Sequence, residues 1–461
     1  MKINKRKILL PGAITIFSAV AALVVTFACP QKSVASTGNE RIREIDRAIL
    51  LKMIKLARFN IHFHQEANRH EMWRTLEYAT GRETGTAVSF AASLLDLKQR
   101  ARGLDDPSFI SRNALKNIVT VSLVGSAISG SASGLELGQN LRVMSAARAK
   151  GFSPKASMTF VKEIVATTDT LFDERARLTA SDTAGVNRTI REKENLLLRR
   201  IRQQLLFEFR NWSCHSRAQA WRENTFYGLD SFQNFTRMGA SIIGLRGFSD
   251  PSLGGGAAIT ALVANTMATV NPIVSGLAGR SVRKYQFKKL TLELPPDQMV
   301  TTENDALVEL PAIDLQQYMK DQPSDQESKV LDEVISLSNG SRRLDTNLDR
   351  ESADIERLQR VAQQQTLAGP LIGLTSMPGA ILGTLAFYDY RQDRVTTNKM
   401  LFAGRISAIT GQSYALIQTP FTVVRGMVKR NRLKKNGELP SQLLDQRLKN
   451  VDNLERQLME K

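Results

Sequence analysis

Hydrophobic and polar positions follow two different styles along this chain. In the first, large apolar residues recur every three or four positions beneath a charged face. Residues 41–79 show it with Ile42, Ile45, Ile49, Met53, Leu56, Phe59 and Phe63, the spacing of an amphipathic helix, and Gly81 is its expected stop. The stretch 157–212 repeats it, with Leu197, Ile201, Leu205, Phe209 and Trp212 in one stripe and Gly185 dividing it into two helices. The tail 441–459 carries Leu444, Leu448, Val451 and Leu458 on one side. That is enough for docking and too short for a stable isolated coiled coil.

The second style is the uncharged run. Residues 251–279 hold no charge and are followed at once by Arg280, Arg283, Lys284, Lys288 and Lys289. The run exceeds the roughly 20 residues that cross a hydrocarbon core, yet it is poor in Leu and Phe and rich in Gly, Ala, Ser and Thr. Small residues four apart, such as Gly256 with Thr260 and Ala264 with Ala268, let helix backbones approach closely. The run 361–388 contains Gly369, Gly373, Gly379 and Gly383, with Pro370 and Pro378 as expected kinks or breaks. The run 401–424 places Ser407, Gly411 and Ala415 in step, is interrupted only by Arg405, and ends in Arg425, Lys429, Arg430 and Arg432. Two shorter pieces share the texture. Residues 84–95 are too short to span unaided, and 117–135 have so little bulk in their second half that they read as a helix packed on protein rather than lipid.

The expected fold class is therefore all-α: amphipathic helices combined with small-residue-rich apolar helical hairpins. Three helical pairs follow, 84–135, 238–279 and 367–424. The expected organisation is a leader or anchor at 1–35, an N-terminal helical region with a Gly/Ser-rich hairpin at 36–155, and soluble amphipathic helices at 156–246. A central apolar helix with its basic flank occupies 247–290, a Pro/acidic linker 291–345, an apolar hairpin 346–436 and an amphipathic tail 437–461.

Composition sharpens this only in places. The chain has 461 residues and a formal net charge of +18, which favours anionic partners. An aromatic content of 6% offers few platforms for stacking bases, so nucleic acid is excluded as the expected partner. Residues 1–35 fit a secretory leader, with Lys2, Lys5, Arg6 and Lys7 ahead of an apolar segment and small residues at Ser33 and Ala35. The rivals are an uncleaved anchor, because the apolar segment is long, and a lipid on Cys29, for which the preceding residues fit poorly. Beyond the leader Cys214 stands alone, so packing rather than disulfides must hold the fold, as suits a bacterial cell envelope.

Charge then sets an expected topology. With residue 36 exported, the first 200 or so residues lie in the periplasm, 251–279 enters, and Arg280–Lys289 and Arg425–Arg432 form basic flanks inside, beside anionic headgroups. The alternative is a soluble periplasmic bundle with the Gly/Ala runs as its core.

Recognisable chemistry is sparse. His62, Glu66 and His70 share a helical face, but the outer two are spread about 12 Å along the axis, so the polar-face reading is preferred to a metal site. Cys214 and His215 are neighbours that do not face each other on a helix, and Leu253-Gly254-Gly255-Gly256 lacks the Lys-Ser/Thr of a phosphate loop. No catalytic residue, cofactor, metal or small-molecule substrate is expected. The leading functional expectation is a non-enzymatic helical envelope protein, a scaffold that meets membrane lipids and protein partners, itself included, through its amphipathic helices. The alternative is a pore or transport component built on the broken apolar helices, marked by a polar, solvent-connected cavity bounded by 367–388 and 401–424. An enzyme of unidentified type comes third.

Overall fold

A computed structural model describes residues 38–67, 72–181, 185–294, 365–436 and 440–459. Among these residues the fold is all-α, with no strand. The helices are α1 (Gly38–Ala67), α2 (Met72–Arg102), α3 (Arg112–Ala147), α4 (Pro154–Ser181), α5 (Gly185–Gly247), α6 (Leu253–Glu293), α7 (Gln365–Tyr388), α8 (Arg394–Lys435) and α9 (Pro440–Met459). The leader and nearly all of the Pro/acidic linker lie outside the described residues.

Six helices close a ring. Helix α2 packs on α3, α3 on α5, α5 on α6, α6 on α7, α7 on α8, and α8 returns to α2. The three hairpins are α2–α3, α5–α6 and α7–α8, and each neighbour runs antiparallel to the next. Three of these contacts, α2–α3, α6–α7 and α7–α8, bring backbones together where a side chain has no room. A Cβ on Gly379 would stand 2.7 Å from Gly404 O, and one on Gly125 would stand 2.8 Å from Gly85 O. Real Cβ atoms do not tolerate that approach, so the glycines are what allow the hairpins to close.

The remaining elements form a cap at one end. Helices α1, α4 and α9, the first half of α5 and the last turns of α6 share one apolar core. Ile49, Leu56, Ile61, Val161, Phe172, Leu206 and Phe209 are fully buried in it. The stripes read from the sequence are what buries: Ile201, Leu205, Phe209 and Trp212 on α5, and Leu444, Val451 and Leu458 on α9. Helix α9 is tied to α1 by Arg58, which meets Asp452 at 2.6 Å and also Glu455. Arg447 pairs with Glu208 at 2.8 Å, with both side chains buried. Glycine at 151, with φ +88°, makes the turn from α3 into α4 that L side chains resist.

Several expectations require correction. The described parts of the periodic stretch 41–79 are helical, residues 41–67 in α1 and 72–79 in α2, with 68–71 outside the described residues; α2 runs on through Gly81 to Arg102. Gly81 is no stop, because it lies against Ala132 of α3, where a Cβ would stand 2.9 Å from the alanine Cβ. Residues 84–95 are accordingly the middle of a long helix rather than a short piece. Pro370 and Pro378 do not break α7, which is continuous through both. Asn265 Nδ2 donates to Ser376 O at 3.2 Å and Ser407 Oγ to Thr375 O, so neighbouring helices serve carbonyls beside Pro378. The expected topology also fails in one respect. Leu290 and Leu294 share the cap core with α1 and α4, and Lys162 meets Glu293 at 3.1 Å. A bilayer cannot therefore separate residues 38–200 from Arg280–Lys289.

Candidate functional site

Burial in the ring is inverted relative to the cap. Its interior holds Ser93, Asp96, Ser129, Ser133, Asp230, Asn234, Asn265 and Asn271, all buried. Its outer face presents Val124, Leu135, Phe232, Ile259, Ile273, Leu374 and Ile417, all exposed. Three stretches, within Arg112–Ala180, Leu253–Glu293 and Pro370–Tyr388, are long and apolar enough to cross a membrane.

Inside the ring lies a cavity of about 540 Å³ to which all six helices contribute. That volume falls in the range of small-molecule sites. Its lining runs from Phe248 and Pro251 at the loop end to Arg82 and Ser129 toward the cap. Four arginines line it: Arg82 and Arg100 on α2, Arg237 on α5 and Arg405 on α8. Toward the cap, Asp230 gathers Arg82, Ser133, Tyr78 at 3.3 Å and Gln233 at 2.7 Å, joining α2, α3 and α5. Nearer the loops, Asp96 accepts from Arg405 and meets Arg100 Nε at 3.0 Å. Arg237 Nη2 donates to Asn265 Oδ1 at 3.0 Å. Among the described residues it has no carboxylate partner. Asn398 stitches α8 to the end of α2 by donating to Arg100 O at 3.0 Å and to Gly103 O just beyond it at 2.8 Å.

The small residues singled out from the sequence are distributed around this chamber unequally. Gly379 and Gly383 line it, as do Gly404 and, one and two turns beyond it, Ala408 and Gln412. Ala264 and Ala268 are buried, and Gly373 lies against Thr269 and Asn265 at the α6–α7 contact. Gly411 meets Thr375 and Ile372, and Ala415 is buried beside Ile372. Gly256 faces Ile243 loosely, with 3.9 Å to the nearest side-chain atom for an added Cβ, and the Thr260 hydroxyl is spent on Gly256 O. Gly369 belongs to the first turns of α7.

The basic flanks stand at the cap end of the ring. Arg280, Arg283, Lys284, Lys288 and Lys289 are exposed on α6, with Lys289 3.7 Å from Glu293. Arg425 and Arg432 are exposed on α8, Arg430 is partly buried, and Lys429 belongs to the same helix. Glu66 pairs with Lys150 at 2.6 Å, and His70 lies outside the described residues. Cys214 is buried in the cap, where loss of solvent pushes its thiol up to about 11.

Sequence reasoning missed the chamber's charged lining. Arg82, Arg100 and Arg237 line the chamber, with Asp96 and Asp230 behind them; Asp96 and Arg100 pair at i,i+4, while Asp230 and Arg237 have no charged neighbour within four residues. An isolated charge on an otherwise apolar helix was the available signal. In comparisons by sequence and by fold, no family model, no curated protein and no solved structure matches this chain.

Proposed function

We propose that the chain is a polytopic membrane protein whose six-helix ring carries a solute-binding chamber, acting as a pore or transport component. The observation that carries this is the inverted ring: arginines, serines and asparagines inside, large apolar side chains outside. In water that arrangement would leave an extensive exposed apolar surface uncompensated, whereas in hydrocarbon it is the favourable one, with ionisable residues facing a cavity.

The dimensions support it. Exposed Trp and Tyr side chains stand at both rims, Trp221 and Tyr285 toward the cap and Tyr388 and Tyr390 at the loops, with exposed Phe232 and Phe235 between them, the order found across a membrane. From Trp221 to the end of α5 the helix rises about 40 Å, the thickness of a bilayer with its headgroups. All six ring helices cross in this reading, including 84–95 and 117–135. Their modest bulk is accommodated because each shows lipid only one face.

The scaffold reading loses its surfaces. The stripes on α1, α5 and α9 are spent on one another in the cap and are not free for partners. The basic flanks then lie where the ring meets the cap, at the level of anionic headgroups. With residue 36 exported, six crossings put the cap and both flanks on the periplasmic side of a bacterial inner membrane, against the usual charge bias. Shielding of the cap from protease added to spheroplasts would reverse that orientation and leave the chamber reading intact. Membrane integration itself is tested by alkaline carbonate washing: the protein stays in the pellet and detergent releases it. Complete release by the wash would overturn the proposal.

A further inference from the structure

The chamber's charges do not balance, and this carries an inference that rests on the chamber reading above. Four guanidiniums line it, and the carboxylates that meet them are Asp96 and Asp230. Arg100 and Arg405 share one aspartate, and Arg237 hydrogen-bonds to the neutral Asn265 with no carboxylate in ion-pair contact among the described residues. Two guanidiniums are therefore left without a carboxylate of their own in contact, Glu83 and Asp230 acting on Arg82 and Arg237 respectively through space, and no acidic side chain among the described residues lines the cavity.

The arginines are also staggered in depth. Counted from the loop end of their helices, Arg100, Arg237, Arg405 and Arg82 lie about 3, 15, 17 and 30 Å inward. Arg82 is locked into the Asp230, Tyr78 and Ser133 network at the inner end, so the uncompensated charge is concentrated at mid-depth, on Arg237 and on the Arg405–Asp96–Arg100 group. Arg237 keeps most of its five N–H donors unspent. An arginine buried at membrane depth without a counter-ion is costly, and an anionic ligand supplies what the fold does not.

We propose that the chamber is a site for a small dianion of the phosphate, sulfate or short dicarboxylate class. It enters from the loop end and is held between Arg237 on α5 and Arg405 on α8. Guanidinium forks suit such oxyanions because they bind them bidentately. Ser376 lines the same level and adds a hydroxyl donor, whereas the Ser241 hydroxyl is spent on Arg237 O.

The test uses the full chain in membranes, with Cys29→Ala and Cys214→Ala and one new thiol, Ser376→Cys. Anionic, cationic and neutral methanethiosulfonates are compared as reagents. The anionic reagent should react about tenfold faster than the cationic one, as expected for a positively focused cleft, and sulfate should slow it where chloride at matched ionic strength does not. Arg237→Gln should abolish both effects while the neutral reagent keeps its rate, which shows the chamber is still formed; Arg237→Lys should preserve the preference. Equal rates for the two charged reagents, or no protection by sulfate, would overturn the dianion site and leave the chamber standing. Failure of all three reagents, the neutral one included, would overturn the chamber and this inference with it.

Discussion

Helix α5 buries Phe209 completely in its first half and leaves Phe232 55% exposed in its second. The same helix thus obeys two packing rules, one in the cap and one in the ring. In the cap, large aliphatic and aromatic side chains face inward, and charges buried with them are paired, as Arg447 is with Glu208. In the ring, small and polar residues face inward and bulk faces out. Among the described residues none of the exposed large hydrophobic side chains belongs to α1 or α4, whereas α5 through α8 carry many. The comparison teaches that cohesion comes from different sources. The cap is held by removing apolar area from water, the ring by close backbone approach and interhelical hydrogen bonds.

Substitutions separate the two regimes, the largest effect first. Replacing Gly379 by Leu puts four side-chain carbons where Gly404 O stands 2.7 Å from even a Cβ. The hairpin α7–α8 cannot close around that, and a loss of more than about 4 kcal/mol, effectively the folded ring, is expected. Membrane insertion should persist, since Leu improves transfer into hydrocarbon. Limited proteolysis of the carbonate-washed pellet reads both at once, and a protease-resistant G379L ring would break the contrast. Phe209→Ala should act in the opposite compartment. It opens a cavity in the cap core at a cost of about 3–5 kcal/mol, lowering the cap's melting transition while thiol access to the ring chamber is unchanged.

A smaller effect should appear with pH. His64 of α1 stands edge-on to Trp212 with ring centroids 4.8 Å apart. Desolvation, and secondarily the nearby His215, lower its pKa from 6.5 to about 4. The folded cap therefore prefers the neutral imidazole, and its contribution is full above pH 6.5 and is lost as the pH falls toward 4. At pH 4.5 the cap should be weaker by about 2 kcal/mol than at pH 7 on this account. His64→Phe should remove that part of the slope in a thermal melt, and an unchanged slope would contradict it.

The two regimes were not equally legible in the sequence. The cap was readable because its stripes bury bulky residues at helical spacing, so Ile45, Ile49, Phe209 and Val451 declared their faces directly. The three hairpins were readable from small residues at spacing four. What escaped was long-range: Asp230 meets Arg82 from 148 residues away, and nothing in either local pattern announces that pairing. Gly404 was missed for the same reason, since its importance lies in Gly379 opposite. Gly81 misled because glycine at a helix end and glycine at a helix contact look alike until the partner, Ala132, is known.

The central claim is that the ring's outer face meets hydrocarbon while the cap meets water. Fluorophores attached at Ile417→Cys and Ile273→Cys, which are 75% and 62% exposed side chains on α8 and α6, test it directly when the protein is reconstituted with brominated lipids. A label at the exposed Thr170 of α4 serves as the cap reference. The account predicts strong quenching by bromolipid and little by aqueous iodide at both ring positions, with the reverse at Thr170. Quenching by iodide at positions 417 and 273, with none by bromolipid, would contradict it.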